Sequence, residues 1–344
     1  MKVVIMAGGK GTRFWPRSVE SKPKQFLALT SNETMLQLTY ARFLAWLPER
    51  SIYVVTSEEY ASLVLEQLPN LNPAQVILEP AQRDTGPCMA LTALHFLGRG
   101  DDEVLVTTPS DQYIPEMQLL QEALLRAEGA ASMGKVIVTL GIVPTRPETG
   151  YGYIKAEPAQ DLGQILKVEA FVEKPSLEKA HQYLEEGNMY WNSGIFIWKP
   201  STIAHNMKAH QPLMWSALTN PQESLALVYP QLQKISVDYA IMEKASELYT
   251  IPVTFDWDDI GSWTSLERMH RLDAHGNLLL GTIHSMGCSN NIISTEHQKT
   301  IVIGVENLII VSTSEGLLVC HKSNEQDIKT ALKLLDLNSY FVQT

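Results

Sequence analysis

The residues Gly8-Gly9-Lys10-Gly11-Thr12-Arg13 follow directly on the apolar run Val3 to Ala7, and a turn of that kind can hold an anion. Glycines leaving a buried strand let several backbone N–H groups approach one phosphate, because no Cβ stands in the way. Two familiar phosphate loops fail on spacing. Lys10 is followed by Gly11 rather than by Ser or Thr, and Phe14 stands where a dinucleotide loop needs its third glycine. On these residues alone a ligand-free turn stays open. Cations crowd the same stretch, however: Arg13, Lys22 and Lys24, with Phe14, Trp15 and Phe26 among them. Pro23 fixes the backbone ahead of Lys24, and the neighbouring rings imply partial burial, so the charges need partners.

Asp111 ends the segment Thr108-Pro109-Ser110-Asp111 after one apolar strand, and Asp259 lies in Asp256-Trp257-Asp258-Asp259-Ile260-Gly261 after another. Two carboxylates from different strand ends, completed by phosphate oxygens and water, make the octahedral oxygen set that magnesium takes. Either Asp could instead cap a helix. Glu173-Lys174-Pro175 offers an acceptor for sugar hydroxyls beside a cation for a second phosphate, although alone such a triplet is more often a surface turn. These groups suit phosphoryl transfer. A phosphate monoester, with a second pKa of about 6, is already an oxygen nucleophile at neutral pH. What remains is alignment and charge neutralisation by metal, backbone N–H groups and Lys or Arg. No Ser-His-Asp or Cys-His pairing stands out, and His95, His181 and His205 sit on helical patterns without ligand spacing, so they read as structural.

The elements that must position these groups alternate. Apolar, β-branched runs at 51–55, 75–78, 103–107 and 135–140 are separated by helical patterns at 34–47, 58–68, 87–97 and 116–132. That order predicts an α/β fold with a Rossmann-like, doubly wound, mostly parallel sheet, whose ligands bind at the carboxyl ends of the strands. Gly8 to Arg13 and Asp111 both fall at such ends. From Gly150 the rhythm changes, and runs at 150–154, 171–175 and 192–198 read as strands inserted or appended at one side of the sheet, facing the substrate. Short strands at 291–293, 300–304 and 308–311 follow, then a last helix from about Asn324 to Leu335. The expected division is a first domain over 1–274 and a small C-terminal domain over 275–344, whose short strands fit a β-solenoid fragment or a small sheet.

The net charge of -11 argues against a general nucleic-acid surface, which would need a basic stripe. Hydrophobic residues at 45% and charged residues at 19% are ordinary globular proportions, so disorder is not expected. No run of about twenty apolar residues could cross a bilayer, and the N-terminal apolar run is too short for a signal peptide. Cys88, Cys288 and Cys320 are dispersed, without a CxxC pair. A reduced, cytoplasmic protein is the expectation, with no disulfide scaffold, zinc site or membrane partner.

The ordered set GGKGTRFWPRS, SKPKQF, TPSD, FVEKP, WNSGIF and DWDDIGSW, spread over essentially the whole chain, resembles the sugar nucleotidyltransferases. PKQF and WNSGIF lean towards the branch that guanylylates mannose 1-phosphate. The resemblance implies a catalytic domain of the nucleotide-diphospho-sugar transferase type and a short left-handed β-helix-like tail. It also implies reaction of GTP with mannose 1-phosphate to give GDP-mannose and pyrophosphate. Gly8, Gly9, Gly11 and Thr12 would hold nucleotide phosphates, and Arg13 and Lys24 would neutralise the leaving pyrophosphate. Asp111 and Asp259 would bind Mg2+. Glu173 and Asn192 would contact mannose hydroxyls and Lys174 the sugar phosphate, while Gly150 and Gly152 would let the backbone approach the sugar. An isomerase domain follows in bifunctional members; with the sequence ending at Thr344, that second activity is not expected. At Gln82-Arg83-Asp84-Thr85-Gly86-Pro87 the family pattern is Arg-Asn-Thr-Ala-Pro, so Asp84 puts a carboxylate where an amide is usual and Gly86 loosens the helix start. Asp84 would face the nucleotide base or cap the helix. A homodimer is expected from the apolar edges of the tail.

Overall fold

The computed structural model describes residues 1–159, 163–172, 174–297 and 299–338. Contacts gather the chain into two units that are not consecutive stretches: Met1–Gly8 with Thr39–Trp257, and Gly9–Leu38 with Asp258–Thr344.

The first unit is built on a nine-stranded sheet. Its strands are β1 (Lys2–Met6), β2 (Ile52–Ser57), β3 (Val76–Glu79), β4 (Leu105–Pro109), β5 (Ile137–Ile142), β6 (Tyr153–Ala156), β7 (Leu166–Val172), β8 (Met189–Trp198) and β9 (Leu248–Val253). They lie in the order β3-β2-β1-β4-β8-β5-β9-β7-β6. β1 pairs in parallel with β2 and β4, and β5 with β9, whereas β8 runs antiparallel to both β4 and β5. Seven of the nine strands thus run in one direction, as the alternation of strands and helices predicts, and β7 and β8 run against them. Val3, Val4 and Ile5 of β1 are wholly buried, which suits a central strand covered on both faces. The helix Met117–Ser132 buries Leu120, Ala123, Leu124, Ala127 and Ala131, one stripe at helical spacing. The helix Thr85–Leu97 is apolar on nearly every side and belongs to the core.

One expectation is overturned here. The run 192–198 is not appended at the side of the sheet; β8 sits in its middle. Burial explains why. Trp191, Ile195, Phe196, Ile197 and Trp198 are all buried, and an edge position would leave much of that surface in water. Only β6 and β7 of the expected group occupy the flank.

The second unit carries short stacked strands: β10 (Leu278–Leu280), β11 (Ile283–Met286), β12 (Ile292–Thr295), β13 (Thr300–Ile303), β14 (Leu308–Thr313) and β15 (Gly316–His321). β10, β12 and β14 stack in parallel on one face and β11 and β13 on another, with β15 antiparallel to β14. This is a β-helix-like solenoid. Gly276, Asn290 and Asn307 take left-handed backbone conformations one residue or two before β10, β12 and β14, and turn each coil. An amide ladder lines the stack: Asn291 donates to Asn277 Oδ1 at 3.0 Å, and Asn291 Oδ1 accepts the Leu308 N–H at 2.9 Å. The closing helix starts as a 3-10 turn over Lys322–Asp327 and is α-helical over Ile328–Asn338.

Candidate active site

In the second unit the glycine loop is held from beneath. Gln25 Nε2 donates to the Gly9 carbonyl at 2.8 Å. Gly11 has φ 49°, and a Cβ there would stand 2.6 Å from the Lys24 Cβ and 2.9 Å from its backbone nitrogen. Only glycine satisfies both the left-handed backbone and the close approach. Gly11 opens a 3-10 turn over Thr12–Phe14 that leaves Arg13 exposed and Phe14 buried, with Phe14 edge-on to Trp263 at 5.2 Å. Lys24 is only 6% exposed, and its Nζ reaches the Asp259 carbonyl at 2.5 Å. Arg13 Nη1 lies 3.4 Å from the Gly261 carbonyl. Gly9, Gly11, Thr12, Arg13, Lys24 and Asp259 are therefore brought into one unit.

Two neighbouring carboxylates divide their roles. Asp258 is buried; its Oδ2 accepts from both Nε and Nη2 of Arg268, at 2.7 and 2.6 Å, and its Oδ1 accepts the Ile260 N–H at 2.8 Å. Asp259 is half-buried, with its carboxylate over Gly261, where a Cβ would come 2.8 Å from Oδ2. Ile260 between them and Gly261 takes φ 45°. That strained residue fixes how the chain leaves the pair of carboxylates.

The rest of the loop's support comes from the C-terminal strands and helix. Trp15 packs on Gly316, where a Cβ would stand 2.8 Å from the indole. Glu325 accepts from the Thr264 N–H at 3.1 Å and from its hydroxyl at 2.6 Å.

In the first unit, Asp111 stands beyond the end of β4. The register Met6 opposite Pro109 puts it at the same carboxyl edge as Gly8. Its flanks are fixed on every side. Ser110 donates its N–H to Met6 and accepts at its carbonyl from the Thr39 hydroxyl at 3.0 Å. Gln112 is 6% exposed, donates to the Ser193 carbonyl at 2.5 Å, accepts from the Trp257 indole at 3.1 Å, and takes Arg42 on its own carbonyl at 3.1 Å. Burial holds the Arg42 guanidinium down to about 10. A carboxylate between two such anchored residues is pre-organised.

Glu79 is buried at the end of β3, beneath Gly8; its Oε2 lies 3.1 Å from where a Gly8 Cβ would stand, and it accepts from the Tyr229 hydroxyl at 2.5 Å. Burial pushes its carboxyl pKa up, and hydrogen bonds from Tyr229 and Cys88 pull it back in part. Asp84, exposed and at φ 71°, caps the helix Thr85–Leu97 with its carboxylate on the Thr85 N–H at 2.7 Å. Gly86 does not loosen that helix start. Its N–H bonds the Ile235 carbonyl at 2.9 Å, and a Cβ would come 2.7 Å from the same oxygen, so the tight contact is what requires glycine.

The sugar-side residues meet around β8. β8 bulges between Asn192 and Phe196, which pair with Gly141 and Thr139, and Gly194 takes φ 68° in the bulge. Asn192 donates its backbone N–H to the Gly152 carbonyl at 2.9 Å, while its Nδ2 donates to Asp238 at 2.9 Å and its Oδ1 accepts the Gly194 N–H at 3.0 Å. Gly150 donates its N–H to Glu148 at 3.0 Å, and Glu148 is held by Arg146 at 3.1 Å. Arg146 stacks 4.8 Å over Trp191, beside Tyr151. Lys174 is exposed at φ 31°, and Glu173 lies outside the described residues.

Gln25 falls within the SKPKQF stretch without a role legible there, and Gln112, Arg146 and Asp238 carry no motif of their own in the sequence. Gln112 directly follows Asp111, and that adjacency is the only signal it offers; its partners are far away in the chain.

Among the described residues no three His, Cys, Asp or Glu side chains gather in one place. A dedicated protein cage is thus not on offer there, whereas one or two aspartates completed by phosphate oxygens suit magnesium. No helix among the described residues is long and apolar enough to cross a membrane.

Residues 2–276 match the nucleotidyl transferase family model, and 284–335 match a mannose-phosphate isomerase/GMP-like β-helix domain. The chain is similar to a mannose-1-phosphate guanylyltransferase of Escherichia coli, 38% identical over 97% of this chain and 74% of that protein. It is also similar to the alginate biosynthesis protein AlgA of Pseudomonas aeruginosa, 36% identical over 97% of this chain and 72% of the other. A crystal structure from Thermus thermophilus, described as a mannose-1-phosphate geranyltransferase, is 34% identical; it covers 97% of this chain and 99% of its own, with a TM-score of 0.87.

Proposed function

Since the chain belongs to the nucleotidyl transferase family, we propose that it transfers a guanylyl group from GTP to mannose 1-phosphate and releases pyrophosphate. A phosphate oxygen of mannose 1-phosphate forms a bond to the α-phosphorus of GTP. The bond from that phosphorus to the bridging oxygen breaks, and pyrophosphate leaves with the electron pair. No general base is needed, because the attacking group is already anionic at neutral pH. What the chain supplies is alignment and charge.

The single observation that carries this reading is Lys24, buried against Gly11 and bonded to the Asp259 carbonyl. A cation fixed beside an open glycine turn suits a phosphate whose negative charge grows as it leaves. In this reading Gly8, Gly9, Gly11 and Thr12 bind nucleotide phosphates through the backbone, and Arg13 and Lys24 hold the pyrophosphate. Asp84 faces the nucleotide, and Gly150, Gly152, Glu173, Lys174 and Asn192 serve the sugar phosphate. Asp111 and Asp259 are the magnesium carboxylates. Magnesium, when bound, draws charge from the phosphate oxygens. The protein is proposed to be cytoplasmic and a homodimer, the latter on exposed Met286, Ile301 and Ile303 of β11 and β13.

The test is pyrophosphate release across the four nucleoside triphosphates and a panel of hexose 1-phosphates, with and without magnesium. GTP with mannose 1-phosphate should lead, and Asp111→Ala should lose most of the rate. Release with no pair at all would overturn the activity.

A further inference from the structure

We propose that Asp238 is a positioning residue that sets sugar selectivity by locking the amide of Asn192 in one orientation; this rests on the sugar-phosphate reading above. An asparagine amide can ordinarily turn end for end, and the two ends differ in chemistry. Here neither end has a choice. The Asp238 carboxylate can only accept, so it takes Nδ2, and the Gly194 N–H can only donate, so it takes Oδ1. One N–H and one lone pair of the amide remain, both lying in the fixed amide plane. Two such groups read a pair of hydroxyls by their relative orientation, which is where mannose differs from its C2 epimer.

Both anchors are themselves held. Gly194 sits in the β8 bulge, stapled by the Ser193 hydroxyl to the Leu140 carbonyl at 2.6 Å. Asp238 opens a π-helical turn over Asp238–Met242. The preceding residue, Val237, donates its N–H to the Thr85 hydroxyl at 2.8 Å, and Ile235 takes the Gly86 N–H. Short π segments recur at functional sites because the wider turn re-aims a side chain. Asp238 is half-buried, so its bond to Asn192 is only partly shielded from water.

The experiment measures mannose 1-phosphate binding by calorimetry, and kcat and KM with mannose 1-phosphate and glucose 1-phosphate, in the full chain. Asp238→Ala should raise KM and Kd for mannose 1-phosphate about tenfold or more, and lower the preference over glucose 1-phosphate. The KM for GTP should stay within about twofold. Asp238→Asn should recover most of the loss, because its carbonyl still accepts from Nδ2. Asp238→Ser, too short to reach Asn192, should behave as Ala and serves if Ala fails to fold. An unchanged sugar KM and preference in Ala and Ser would overturn the proposal, as would equal losses for GTP and sugar phosphate, the pattern of a merely structural residue. Wild-type protein that neither binds nor turns over mannose 1-phosphate would overturn the proposal and its parent reading together.

Discussion

Lys24 closes over Gly11 so tightly that a single methyl group at position 11 would overlap its Cβ. The contact joins the glycine turn to the cation that the proposed function sets against the leaving pyrophosphate. Gly11→Ala must either leave the left-handed region or displace Lys24. The backbone term alone is about 1–2 kcal/mol, and each 1.36 kcal/mol is about tenfold in rate. We expect kcat/KM for GTP to fall by about 10- to 100-fold, read by a continuous pyrophosphate assay, and the melting temperature to fall by about a few degrees. A wild-type rate would show that the contact is not used.

Asp258 and Asp259 should separate cleanly on mutation. Asp258→Ala strips Arg268 of the oxygen that takes two of its N–H groups and leaves the Ile260 N–H without its carboxylate, at a cost of about 2–3 kcal/mol for charged hydrogen bonds. Its first effect is a lower midpoint in urea. Asp259→Asn keeps the shape and should lower turnover by about a hundredfold, with a steeper need for magnesium. Reversed phenotypes would reassign the pair.

Glu325 tests how far support for the loop extends. Glu325→Ala removes both bonds to Thr264, each worth about 1 kcal/mol. It should reduce kcat/KM for GTP several-fold, and Glu325→Gln should restore much of it, since the amide oxygen still accepts. Equal activity in all three proteins would limit Glu325 to stability.

His95 predicts a pH effect. Burial, with Arg99 adding to it, depresses its pKa to about 4 from the usual 6.5. The unfolded chain therefore binds the extra proton first, and folding loses stability as pH falls from about 6.5 towards 4. Above 6.5 His95 is neutral in both states and contributes no slope. His95→Phe should flatten the acid side of a melting-temperature profile over that window. An unchanged slope would mean that other groups set it.

The glycine loop, Asp111 and Asp259 are legible as candidates in the sequence because each follows a strand end marked by a local apolar run, and Lys24 because it stands behind Pro23 in a cationic stretch among aromatic rings. The alternation of strands and helices is legible for the same reason. The central place of β8 is not, since an apolar strand looks alike in the middle of a sheet and on its flank until its neighbours are known. Gln112 gives no signal beyond its place after Asp111, because its partners Ser193 and Trp257 are 81 and 145 residues away. Gly86 misleads in the other direction: read locally it means slackness, whereas the Ile235 carbonyl makes it a close fit. Local rules see conformational freedom, and they do not see what fills the space beside it.

The pairing of Trp15 with Gly316 has a consequence for synthesis. Gly9–Leu38 is made long before the strand and helix that brace it. Domains generally settle in the order in which they are made, but this loop must wait until Gly316 has been made. During that interval Phe14 and Trp15 are apolar side chains without their partners, and a chaperone that holds nascent chains would find its target there.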